Sequence, residues 1–117
     1  VLRMLQKARI TSDELKARLE RGERVTIFDV RGADEVACAP HALPGALRIK
    51  PADLPRRLRE LPQGGMVVLY GRRLKRPKSK PAIPAANVSG RVRSLAGGLR
   101  AWRRRGYPVQ AADAGGL

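Results

Sequence analysis

Cys38 is the only cysteine among the 117 residues, and His41 is the only histidine. A single thiol excludes an intrachain disulfide, a paired redox motif and a cysteine-based zinc site. Free cysteines are commonly small buried hydrophobes, and that is the expectation for Cys38. His41 lacks a second histidine or a nearby acid to complete a metal or acid-base site; it is expected to lie exposed in a loop, and no metal is expected. The remaining chemistry is that of cations. Residues 71–80 hold Arg72, Arg73, Lys75, Arg76, Lys78 and Lys80 without one acid, and Arg100, Arg103, Arg104 and Arg105 form a second cluster. Such stretches are either electrostatic footprints for an anionic partner or solvated charge runs. Aromatic residues make up 3% of the chain, too few for a base-stacking platform, so specific nucleic-acid binding is not expected.

These residues must be positioned by a small set of elements. Thr11 followed by Glu14 reads as a capping box, with the Thr11 hydroxyl accepting from the Glu14 amide and Glu14 reaching back, which predicts a helix over 12–21. Leu15 and Leu19 mark its apolar face, and Gly22 its stop. Val25, Thr26, Ile27 and Phe28 form a β-branched and aromatic run of the kind found in a strand covered on both faces, with the polar Asp29 at its C-terminal edge. Residues 33–37 suit one or two helical turns, 40–45 a turn-rich connection, and 46–49 a second strand. Pro51 suits a helix entry, and Leu54, Leu58 and Leu61 recur on one face before Pro62 and Gly64 end it. Met66 to Leu69 is the clearest buried strand, residues 92–95 are another, and a helix carrying Leu99 and the core anchor Trp102 stops at Gly106.

Strands alternating with helices through short loops predict a three-layer α/β fold with a mostly parallel sheet. Ligands in such sheets sit at the C-terminal strand ends, which here are residues 29–33, the loop after Tyr70, and residues 96–98. Between Tyr70 and Arg91 the pattern fails. Pro77, Pro81 and Pro84 each cost about 3 kcal/mol inside a helix, so an irregular crossover is expected around 71–90.

Length and charge set the outer bounds. One core is expected, within residues 9–110, preceded by a basic connector over 1–8 and followed by a flexible tail over 111–117. Lys and Arg total 25 against 10 Asp and Glu, a formal net charge of +15. An apolar content of 43% excludes a disordered polyelectrolyte, and no apolar run approaches the roughly 20 residues needed to span a bilayer. Cysteine usage fits a reducing, cytoplasmic compartment. The chain opens on Val1, as expected of part of a longer protein.

In order and spacing the residues resemble the rhodanese-like sulfurtransferase domains. Ile27, Phe28, Asp29, Val30 and Arg31, followed by Glu35, are similar to the family's strand ending in Asp-x-Arg. Pro44, Gly45 and Ala46 resemble its turn into a short strand, and Val67 to Tyr70 the strand that delivers the active loop. Leu95 to Trp102, with Gly106, Tyr107 and Pro108, resembles the C-terminal glycine, glycine, tryptophan pattern. The resemblance implies a five-stranded, mostly parallel sheet flanked by helices, and no cofactor. Asp29 and Arg31 are implied to hold loops at the sheet edge through a charge-assisted hydrogen bond. The implied chemistry is a cysteine thiolate that takes sulfane sulfur from thiosulfate or a persulfide and passes it to an acceptor, cradled by backbone amides and nearby cations.

In the family that cysteine directly follows the strand, where this chain has Gly71. The resemblance therefore implies a domain without its nucleophile, either a non-catalytic binding or regulatory module or a degenerate one. Two alternatives stand beside it: a sulfurtransferase using Cys38, the sole substitute, and an anion or nucleic-acid binder working through Arg72, Arg73, Lys75 and Arg76 in the 71–80 loop. Thiosulfate or another small anion is the implied ligand. Within the family the chain is most similar to rhodanese modules attached to DedA-type membrane proteins, which implies fusion to, or association with, a membrane protein. Permitted codons for residues 71–76, shifted by two nucleotides, can encode proline, alanine, proline, glutamate, threonine, threonine, similar to a family active loop. The change after Tyr70 thus suggests an altered reading frame, which the gene's nucleotides decide.

Overall fold

The computed structural model describes residues 9–61, 64–71 and 91–112. In chain order the elements are β1 (Arg9–Ile10), α1 (Ser12–Glu20), β2 (Val25–Asp29), α2 (Ala33–Cys38), β3 (His41–Ala42) and β4 (Leu47–Arg48). A single 3-10 turn, Pro51–Asp53, then leads into α3 (Leu54–Glu60), followed by β5 (Met66–Tyr70), β6 (Val92–Leu95), α4 (Gly98–Arg104) and β7 (Gln110–Ala111). Five strands form one parallel sheet in the order β1-β6-β5-β2-β4. This is the expected α/β architecture, with β5 at its centre.

Alternation along the central strand builds two cores. Val68 and Tyr70 of β5 join Leu15, Leu95, Leu99 and Trp102 on one face, under α1 and α4. Val67 and Leu69 point the other way, to Phe28, Val30, Val92 and Leu54, under α3. Side chains of period two between helices on both faces make the three layers. Trp102 is fully buried, as expected of an anchor; its indole Nε1 donates to the Pro108 carbonyl at 2.7 Å, and Tyr107 packs edge-on with ring centroids 5.1 Å apart. Burial of one such side chain contributes about 1.5–3 kcal/mol, and the satisfied N–H avoids the cost of an orphaned donor.

Several expectations change. Half of the predicted capping box forms: Thr11 Oγ1 accepts from the Glu14 amide at 3.1 Å, but the Glu14 carboxylate turns to Arg18 and Arg93, at 3.5 and 3.7 Å. The fifth sheet strand is β1, whose single apolar residue is too short for any periodicity. His41 is half-buried rather than exposed, because β3 pairs antiparallel with β7 in a separate ribbon. The crossover expected around 71–90 lies outside the described residues from 72 onward.

Candidate functional site

The C-terminal ends of β2 and β5 are held together by one buried polar cluster. Asp29 and Tyr70 are register partners, and the Tyr70 hydroxyl donates to Asp29 Oδ2 at 3.1 Å while accepting from the Leu43 amide at 3.3 Å. Asp29 is completely buried, a position a carboxylate tolerates only when paired and hydrogen-bonded. Arg31 supplies the pairing: Nε lies 3.0 and 3.1 Å from the two carboxylate oxygens and Nη2 lies 2.8 Å from Oδ2. The Arg31 amide adds a further bond to Oδ1 at 3.0 Å.

The same guanidinium ties two other segments to this frame. Nη1 donates to the Ala39 carbonyl at 2.9 Å, just after α2, and Nη2 donates to the His41 carbonyl at 2.8 Å. Burial works against the charged form of Arg31, but hydrogen bonding and proximity to Asp29 outweigh it, so its pKa lies above the ordinary arginine value. Burial and then the adjacent Asp29 charge push the Tyr70 phenol up, so it remains a neutral donor throughout the physiological range.

Beside this frame, at the C-terminal sheet edge, opens a cleft of about 820 Å³. Gly71, Cys38, Arg31 and the turn formed by Ala96, Gly97 and Gly98 line it. Arg9 of β1 and Arg100, Arg103 and Arg104 of α4 also line it, as do Asp34 and Glu35. The turn needs its glycine. Gly97 has φ +73°, and a Cβ there would fall 2.5 Å from Ala101 Cβ.

Gly71 closes on the frame differently. An added Cβ would lie 2.9 Å from Val30 Cγ2, 3.1 Å from the Val30 carbonyl carbon and 3.2 Å from the Arg31 amide. The strand end is thus packed against the segment leaving β2, where the Val30 amide donates to the Tyr70 carbonyl at 3.0 Å. A Cβ at 71 requires the Val30 side chain or its surroundings to give way.

Cys38 is exposed, not buried, because it ends a short helix whose buried contact is Val36. Sequence distance had separated it from the loop after β5; the fold instead brings Cys38 and Gly71 to one cleft. Arg72, Arg73, Lys75 and Arg76 lie outside the described residues. Arg100, Arg103 and Arg104 of the second cationic cluster seen in the sequence line the cleft, whereas two features escaped the sequence reading. The signal for Tyr70 was a polar-tipped aromatic ending a buried strand. The place of Arg9 depends on β1 pairing with β6 and left no sequence signal. Among the described residues no group of three metal-ligating side chains converges, and no helix is long and apolar enough to cross a membrane.

Comparison with known proteins gives consistent matches. The family model of the rhodanese-like domain matches residues 11–105. A sulfurtransferase of Allochromatium vinosum is 35% identical over 104 residues, covering 89% of this chain and 95% of that protein. The HTH-type transcriptional regulator Rv0324 of Mycobacterium tuberculosis is 41% identical over 101 residues, 86% of this chain but 43% of the regulator. The solution structure of the rhodanese-like domain from the Anabaena Alr3790 protein is 26% identical with a TM-score of 0.65, covering 89% of this chain and 79% of that domain.

Proposed function

Since the chain belongs to the rhodanese-like domain family, we infer that it is a rhodanese-fold module without covalent sulfur transfer, serving a noncovalent binding or regulatory role. The end of β5 carries this reading. The family resemblance calls for the nucleophile directly after the strand, and there the chain has Gly71, where even a Cβ would come within 2.9 Å of Val30. A persulfide relay needs a thiolate at that point, facing the amides that would stabilise it. A regulatory role is in keeping with the transcriptional regulator relative, of which the matching part is 43%. The test is intact-mass analysis of the full chain after incubation with thiosulfate, with a cyanide assay for thiocyanate in parallel. No gain of a sulfur atom and no thiocyanate are expected; an adduct with turnover overturns the reading.

A second reading has one observation in its favour: the exposed Cys38 thiol lines the same cleft as Gly71. On that reading Cys38 carries the persulfide. Peptide mapping would then find the sulfur on Cys38, and Cys38→Ser would abolish both adduct and turnover.

A further inference from the structure

Among the described residues some arginines have a carboxylate partner and others do not. Arg18 and Arg21 pair with Glu23 at 3.0 and 2.6 Å, Arg93 approaches Glu14 at 3.7 Å, and Arg105 pairs with Asp13. Arg9, Arg24, Arg59, Arg100, Arg103 and Arg104 have no carboxylate partner among the described residues, and four of them, Arg9, Arg100, Arg103 and Arg104, line the one cleft. Arg100, Arg103 and Arg104 occupy one helical face at i, i+3, i+4, where like charges repel. Arg100 lies in the first turn of α4, the end at which a helix disfavours cations. Of the two cleft acids, Glu35 is engaged by the Gly32 amide at 3.2 Å. Arg103 and Arg104 lie in the last turn, where cations are favoured, so the repulsion among the three is what an anion in the cleft would relieve.

We propose that this cleft binds a compact oxyanion bearing three or more negative charges, held noncovalently by Arg9, Arg100, Arg103 and Arg104. Four guanidinium forks exceed what one dianion can occupy, and each matches phosphate-type oxygens bidentately. At about 820 Å³ the cleft is large enough to admit such an anion. The only aromatic ring in the lining, that of Tyr70, is buried with the Arg31 guanidinium 5.5 Å from its centroid, which leaves no platform for nucleobases. The proposal rests on the noncovalent reading above only in assigning the cleft to binding. A sulfur adduct in the mass assay would overturn that reading and leave the measurement below unaffected.

Calorimetric titration of the full chain at low salt, with inorganic tripolyphosphate and inorganic phosphate as probes, tests it. One saturable site is expected, with tripolyphosphate bound about tenfold tighter or more than phosphate. Arg100→Gln/Arg103→Gln/Arg104→Gln should weaken tripolyphosphate about tenfold or more, while the charge-matched Arg24→Gln/Arg56→Gln/Arg59→Gln changes it less than about twofold. Arg9→Gln, on a separate strand, provides the same test if the helix variant fails to fold. Equal loss in the charge-matched variant, absence of saturable binding, or loss only on neutralising residues 72–76 would overturn the site. A single-stranded DNA oligomer that displaces tripolyphosphate at equal charge would overturn the ligand class.

Discussion

The Tyr70 hydroxyl donates to the Asp29 carboxylate across the β2–β5 pair at 3.1 Å, and the two residues are register partners at the strand ends. This contact links the sheet to the segment around the end of α2, because the same carboxylate orients Arg31, and Arg31 in turn holds the carbonyls of Ala39 and His41.

Removing the charge of Asp29 should therefore be severe. Asp29→Asn keeps the shape but leaves the Arg31 guanidinium, whose side chain is 5% exposed, without its counter-charge. A loss of about 3–5 kcal/mol is expected, as for other broken buried pairs, measured by urea denaturation. Tyr70→Phe should cost less, about 1–2 kcal/mol, by deleting one donor and leaving the Leu43 amide unpaired. Equal stability of Asp29→Asn and the parent chain would show that the pair does not hold the frame.

At Gly71 the prediction concerns space. Gly71→Ala places a Cβ against Val30 and should destabilise by about 1–3 kcal/mol, the usual cost of overpacking. Val30→Ala removes the Cγ2 atom nearest that Cβ, so the double variant should lose less than the sum of the two single losses. A coupling of about 0.5 kcal/mol or more is the expected result of the double-mutant cycle. Additive losses would mean that the strand end yields freely and that Val30 does not crowd a Cβ at position 71.

How much of this was legible in the sequence follows from the range of each interaction. α1 was legible because its start is encoded within four residues, in Thr11 and Glu14. β2 and β5 were legible because both are continuous apolar runs, and a parallel sheet buried on both faces demands them. The ribbon of β3 and β7 was not, since its two strands are two residues long and pair across most of the domain. The cleft was half legible. The strand ends that border it follow from the fold class, whereas the convergence of Cys38, Gly71, Arg9 and the α4 arginines depends on where α2 and β1 come to rest.

The exposure of Cys38 yields a chemical prediction independent of sulfur transfer. Its thiol should react with a disulfide reagent in the native chain to one full equivalent, without denaturant. Arg31 holds the adjoining Ala39 carbonyl, so Arg31→Lys, which cannot reproduce the fork, should loosen the end of α2 and speed the reaction. Reaction only after denaturation would contradict the exposure of Cys38, and an unchanged rate in Arg31→Lys would separate the guanidinium from the positioning of α2.

Asp13 joins the first helix to the residues that follow α4. It receives hydrogen bonds from Arg105 and from the Tyr107 hydroxyl, and these, the Arg105 bond first, hold its pKa below the ordinary carboxylate value of 3.8. A carboxyl whose pKa is lower in the folded state contributes stability above its unfolded pKa and loses it as pH falls through the folded value. The contribution of this solvent-exposed cluster is therefore fully present at neutral pH and disappears in strong acid, below pH 3.8. Asp13→Asn should accordingly lower the melting temperature at pH 7 relative to the parent chain, with the difference closing as the pH falls toward the acid limit and also shrinking in high salt. A difference that widened in acid would mean that the carboxylate is stabilised better in the unfolded chain than by Arg105 and Tyr107, the reverse of what the geometry requires.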